Sequence, residues 1–141
     1  MLTGVVRCAI PISGRVSWKM KRRFDLEDRL IRFGAEVCRL AEQLPATPTG
    51  RHISQQLIRS GTSPLANYAE VQGAESRRDF IHKLGLCLKE QRETGAWLRL
   101  IRRLELCRTE ILGPACDECD QLTAILATSI RTARQNSTSI S

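Results

Sequence analysis

Between residues 26 and 44, six apolar side chains recur at spacings of 4, 3, 4, 3 and 4: Leu26, Leu30, Phe33, Val37, Leu40 and Leu44. On an α-helix that rhythm gathers all six into one seam; on a strand it would scatter them over both faces. A helix with such a seam draws its stability from packing, so other helices must cover it. Asp25 is positioned to cap the segment, and Asp28 lies near the positive end of its dipole. Gly34 and Ala41 permit close approach of a partner, and Pro45 and Pro48 end the element.

The rest of the chain supplies the cover. Thr47 and Pro48 read as a cap and first-turn proline for a second helix, with Ile53, Leu57, Ser60, Pro64 and Tyr68 on one face. Pro64 removes one backbone hydrogen bond and is expected to kink this rod near Ser60. Ser60, Gly61, Thr62, Ser63 and Ala66 crowd the same place, either to admit a neighbouring helix or to offer hydroxyls to freed carbonyls. Ser76 and Asp79 form a capping-box-like start to a third helix, expected to run to about Glu105. A turn is expected over Leu106 to Pro114, with Gly113-Pro114 in it or in the first turn of the last helix. That fourth helix carries Cys119, Leu122, Leu126 and Ala133, with Ile125 and Ile130 beside them. Four helices with mostly short connections predict an all-α fold, an antiparallel up-down-up-down four-helix bundle. Composition agrees: at 42% hydrophobic but only 4% aromatic, the chain suits helix-on-helix packing better than a β-sandwich. A length of 141 residues fits one domain with one core. No apolar run approaches the roughly 18 residues that a membrane span needs, so a soluble, cytoplasmic protein is expected.

Residues 1–23 read unlike the bundle expected over 24–135, and residues 136–141 form a polar tail expected to fray after Arg134. For the N-terminal segment three readings stand: a start at Met20, a disordered basic tail, or an organellar targeting peptide. A secretory signal is disfavoured, because Arg7 interrupts the apolar stretch and no small-x-small cleavage site follows. This segment also holds the charge. Residues 1–24 contain six basic and no acidic residues, whereas residues 25–141 contain 16 basic and 15 acidic. The net charge of +7 is therefore concentrated outside a near-neutral bundle, and any nucleic-acid argument must rest on how charge is distributed.

The third helix is where the distribution is uneven. At about 100° per residue, Arg78, Lys89, Arg92, Arg99 and Arg103 fall within an arc of roughly 80°. Phe80, Leu84, Cys87, Gln91 and Leu98 occupy a separate arc facing the other way. Between Arg77 and Arg103 there are eight basic and three acidic residues. A row of guanidinium groups on a rigid rod suits phosphate contacts. The competing reading is an ordinary solvated face, with Glu75, Glu90 and Glu93 pairing locally. Arg outnumbers Lys 18 to 4 over the whole chain, so Arg-richness alone has a second explanation in base composition.

No reaction centre is legible. Cys38, Cys87 and Cys107 fall within the expected helices, where buried, reduced thiols are the simple reading. Cys116-x-x-Cys119 is a lone pair, with no second pair or spaced histidines to complete a zinc site and no βαβ context for thioredoxin chemistry. His52 and His82 lack adjacent triad partners, and no glycine-rich phosphate loop occurs. No catalytic residue, metal or cofactor is expected. Asn67 and Glu70 are read as a buried polar pair that fixes helix register, near Pro64.

Several segments together carry a resemblance. They are Gln56-Leu57-x-Arg59-Ser60, Ala66-Asn67-x-Ala69-Glu70, Ser76-x-x-Asp79-Phe80, Lys89-Glu90-x-x-Glu93-Thr94 followed by Trp97-Leu98, and Glu118-Cys119-Asp120-x-Leu122. As a set, over about residues 24–135, they resemble the bacterial four-helix bundle family of proteins encoded in 23S rRNA intervening sequences. That family is related to the accessory protein of diversity-generating retroelements. The resemblance implies an antiparallel bundle assembling into a homopentamer with a central channel. In the retroelement branch it implies nucleic-acid binding through basic surface and docking on a reverse transcriptase; in the rRNA-insert branch, ribosome association. The expectation is a non-enzymatic homo-oligomer that binds an RNA or DNA backbone through Arg78, Lys89, Arg92, Arg99 and Arg103, with a reverse transcriptase or ribosomal partner. A protein-interaction scaffold without nucleic acid is the alternative, and a dithiol redox protein using Cys116 and Cys119 a remote third.

Overall fold

The computed structural model describes the backbone of residues 17–138 and the side chains of residues 26–136. Four helices run in order: α1 (Ser17–Glu42), α2 (Pro48–Val71), α3 (Arg77–Arg103) and α4 (Thr109–Thr138). No strand occurs among the described residues. All six seam residues of α1 are buried, from Val37 at 0% exposure to Leu44 at 9% just past the helix end. On α2 the whole expected face, Ile53, Leu57, Ser60, Pro64 and Tyr68, is buried as well.

Contacts along the helices run in opposite directions, which makes neighbours antiparallel. Gly34 of α1 meets Leu65 of α2, Val37 meets Gly61, and Ser54 Oγ donates to the Ala41 carbonyl at 3.1 Å. Between α2 and α3, His52 meets Trp97, Ser60 meets Thr94 and the Pro64 carbonyl meets Cys87. The α1–α4 contact is the thinnest of the four helix interfaces. It is bridged by Arg29, whose Nε and Nη2 donate to the two Glu118 carboxylate oxygens at 3.0 and 2.9 Å. Gly61 sets the α1–α2 distance: a Cβ there would lie 2.5 Å from Val37 Cγ1.

The caps explain most boundaries. Thr47 Oγ1 accepts from the Gly50 amide at 3.0 Å with Pro48 in the first turn, and Ser76 Oγ accepts from the Asp79 amide at 3.1 Å. Asp79 reaches back one residue further than a capping box requires, to the Glu75 amide. At the end of α3, the Glu105 amide donates to the Arg102 carbonyl and the Leu106 amide to the Ile101 carbonyl, both at 3.1 Å. This is a Schellman closure, and it holds Glu105 at φ 52°, where glycine is usual.

Several expected boundaries shift. Helix α1 begins at Ser17, so Asp25 lies inside it rather than capping it, and residues 17–23 continue the helix instead of standing apart. The choice among the three N-terminal readings falls mainly on residues 1–16, outside the described residues. The turn after α3 comes earlier than expected and places Cys107 in the connection, while Pro114 lies inside α4. Pro114 and Glu110 are both exposed, so water can hydrate the carbonyl that the proline leaves free. Helix α4 also continues past Arg134 to Thr138. As expected, Pro64 lies inside α2, and the nearby hydroxyls bond back to carbonyls four residues earlier: Thr62 to Ile58 at 2.7 Å, Ser63 to Arg59 at 2.6 Å.

Candidate nucleic-acid interface

Helix α3 carries both halves of the site: a face that locks onto α2 and a face left to solvent. Its inner arc is buried at Leu84, Cys87, Gln91 and Leu98, with Phe80 partly buried against the core. Toward α2, Arg59 reaches over and pairs with Glu90 at 3.2 Å and also with Glu93. Glu93 further accepts from Trp97 Nε1 at 3.4 Å, and the Trp97 ring stands edge-on to His52 at 5.9 Å. Directly beneath, the buried Thr94 hydroxyl donates to Ser60 Oγ at 3.0 Å. The segments Arg59-Ser60 and Glu90-x-x-Glu93-Thr94 are thus two halves of one interhelical clasp. The acids of α3 do not pair locally with its arginines, as the solvated-face reading had it; Glu90 and Glu93 are engaged by α2.

This leaves the outer face unneutralised. The remaining acid of α3, Asp79, pairs with Lys83 at 2.8 Å, and the Lys83 hydrogen bond holds the Asp79 carboxyl below its ordinary pKa. Arg78, Lys89, Arg92, Arg99 and Arg103 are all exposed, and none makes a side-chain hydrogen bond or ion pair among the described residues. Arg77 and Arg102 share that condition. Arg102 was not among the expected residues: its helix phase coincides with that of Leu84 on the inner arc, but it lies in the last turn of α3, where it is exposed beside α4. From Arg78 to Arg103 the stripe spans roughly 38 Å at 1.5 Å per residue, close to one turn of a nucleic-acid duplex. Beside it, Leu86, Leu100 and Leu104 are exposed at 39%, 38% and 44%.

The expected Asn67–Glu70 pair is not a buried network. Glu70 is exposed, Asn67 is half-buried, and neither side chain makes a hydrogen bond among the described residues. Register is fixed instead by the Ser60–Thr94 clasp and by Gln91, whose Nε2 donates to Cys119 Sγ at 3.5 Å. Among the described residues Gln91 Oε1 is buried without a partner, a local cost of about 1–3 kcal/mol. Pro64 is buried, and its carbonyl accepts from the Cys87 thiol at 3.6 Å.

Thiol chemistry finds no support in this geometry. Burial pushes the Cys119 thiol up to about 11 and raises Cys116 as well, which suppresses the thiolate that redox exchange requires. Among the described residues no group of three or more His, Cys, Asp or Glu side chains could hold a metal ion. Nor is any described helix long and apolar enough to cross a membrane.

No curated protein matches the chain. A solved structure of a protein of unknown function, from the S23 ribosomal protein family of Bacteroides thetaiotaomicron, is 32% identical. The match covers 77% of this chain and 97% of that one, with a TM-score of 0.71. A family model described as 23S rRNA-intervening sequence protein matches residues 22–128, a span that takes in the α1 seam, the α2–α3 clasp and the basic stripe. With model and structure agreeing over most of its length, the chain belongs to the 23S rRNA-intervening sequence protein family.

Proposed function

We propose that this protein is a non-enzymatic homo-oligomeric bundle that binds the backbone of RNA, or of nucleic acid more broadly, through the outer face of α3. The observation that carries the reading is the separation on that helix. Every acid is engaged, Asp79 by Lys83 and Glu90 and Glu93 by Arg59, while Arg78, Lys89, Arg92, Arg99 and Arg103 stand exposed and unpaired. Unpaired guanidinium groups on a straight rod contact phosphates without reading bases, so binding is insensitive to sequence and strongly sensitive to salt. Five contacts per protomer give a slope of log K against log salt of about −3.5 to −4.5. Repetition of the stripe around an oligomer, a pentamer by the family resemblance, multiplies weak patches into avidity. A reverse transcriptase or a ribosome is the partner class that the resemblance brings with it.

One observation favours a second reading, a scaffold that binds protein alone. Leu86, Leu100 and Leu104 flank the basic stripe and would be covered in a protein interface. Light scattering on a size-exclusion column, with and without a structured RNA at low salt, separates the two. The proposal expects an oligomer that shifts with RNA and releases it as salt rises. An oligomer indifferent to RNA would favour the scaffold.

A further inference from the structure

Between α3 and α4 lies a cleft of about 100 Å³, lined by Gly95, Arg99 and Arg102 from α3 and by Cys116, Cys119 and Asp120 from α4. That is several times the ~10–15 Å³ that a single water needs. Arg99 and Arg102 lie three residues apart, which puts them on neighbouring turns of one face. Neither makes a side-chain hydrogen bond or ion pair among the described residues, although Asp120 lines the same cleft. Two like charges at this spacing repel each other. An anion between them turns the repulsion into attraction, and a guanidinium fork offers a tetrahedral oxyanion two parallel N–H donors. Gly95 makes the room: a Cβ there would lie 3.3 Å from Arg99 Nη1 and 3.5 Å from Cys119 Sγ.

We propose that this cleft is a phosphate subsite in which Arg99 and Arg102 clasp one phosphate of a nucleic-acid backbone running along α3. The inference rests on the reading of α3 as a backbone-binding face and adds to it. Arg102 joins the binding residues, and one phosphate is seated between two helices while the others lie on an open surface. That seat gives the strand a fixed register along the rod. Asp120 on the opposite wall repels the doubly charged form of free phosphate more than a singly charged diester, so the backbone is the favoured source.

The test uses the full chain with a fluorescent structured RNA and, separately, inorganic phosphate. Arg102→Gln should weaken RNA binding about tenfold with a drop in salt slope of less than about 1, because Arg99 still neutralises the shared phosphate. Gly95→Ala should weaken RNA binding while leaving the unfolding temperature unchanged or raised, because alanine favours the helix. A purely structural role for Gly95 would lower both together. If RNA binds and Arg78→Gln/Arg92→Gln weakens it while Arg102→Gln and Gly95→Ala do not, the subsite is overturned and the stripe stands. If RNA does not bind but phosphate does, and Arg102→Gln removes it, the cleft stands as an anion site and the backbone source is overturned along with the α3 reading. Binding of neither overturns both.

Discussion

The α1–α2 contact makes a prediction whose sign follows from geometry. Gly61→Ala places a methyl 2.5 Å from Val37 Cγ1, 3.1 Å from its Cβ and 3.3 Å from its Cγ2. Alanine in place of a mid-helix glycine gains about 1 kcal/mol of helix propensity. Here the gain meets a side chain that cannot yield: Val37 is wholly buried and β-branched, with one strongly preferred χ1 in a helix. Overpacking of this kind costs about 1–3 kcal/mol, so the variant should be net destabilised by about 1 kcal/mol. Gly85 provides the control, because among the described residues a Cβ there meets nothing within 4 Å. Gly85→Ala should therefore stabilise by about 0.5–1 kcal/mol. Urea unfolding at fixed protein concentration, followed by circular dichroism, reads both. Pairing Gly61→Ala with Val37→Ala should recover part of the loss, since each relieves the other's misfit. Refutation would be Gly61→Ala stabilising as much as Gly85→Ala, with no coupling to Val37; the helices would then not be held this close.

Three further outcomes follow. Glu105→Gly should stabilise the end of α3 by about 1 kcal/mol, because Glu105 is held at φ 52° in a Schellman closure where glycine carries no Cβ penalty; thermal unfolding reads it. Burial and the neighbouring Glu118 raise the Glu36 pKa above 4.5, which favours its neutral form in the fold. The contribution is then present at low pH and lost as pH rises, so Glu36→Gln should be more stable than the parent at pH 7 and indistinguishable from it below about pH 4; unfolding midpoints across pH test the sign. With its pKa pushed up to about 11, Cys119 is about one part in a thousand thiolate at pH 8, so a neutral alkylating reagent should modify it only after denaturant is added.

The helices were legible where one period ran uninterrupted. The α1 seam needed only its 4-3-4-3-4 spacing, and the caps at Thr47 and Ser76 needed only local chemistry. The errors came where a local signal met a tertiary one. Gly113-Pro114 suggests the turn or the first turn of α4, yet Pro114 lies further inside α4, tolerated because its lost bond faces water. Periodicity placed the basic arc on the outer face of α3, but it could not tell which partner Glu90 and Glu93 would choose. That choice depends on Arg59, more than 30 residues away and brought opposite them only by antiparallel packing. Asn67 and Glu70 lie beside the buried face of α2 and not on it, which leaves Asn67 half-buried and Glu70 exposed. The buried polar lock formed about two turns earlier, at Ser60 and Thr94.

The clasp and the stripe depend on each other. By engaging Glu90 and Glu93 on the α2 side, Arg59 prevents those carboxylates from neutralising Lys89, Arg92 or Arg99 on the outer face. Arg59, Glu90 and Glu93 thus form the α2–α3 clasp, while Lys89, from the same segment as Glu90 and Glu93, stands exposed on the outer face of α3.

The most direct test of that account is fluorescence anisotropy of a labelled structured RNA against the parent and Arg92→Glu/Arg99→Glu, titrated at several salt concentrations. The account predicts that the parent binds with a salt slope of about −3.5 to −4.5 per protomer. It predicts that the double variant loses binding while keeping its helical content and oligomeric state. Equal affinity and equal slope in the two proteins would contradict it.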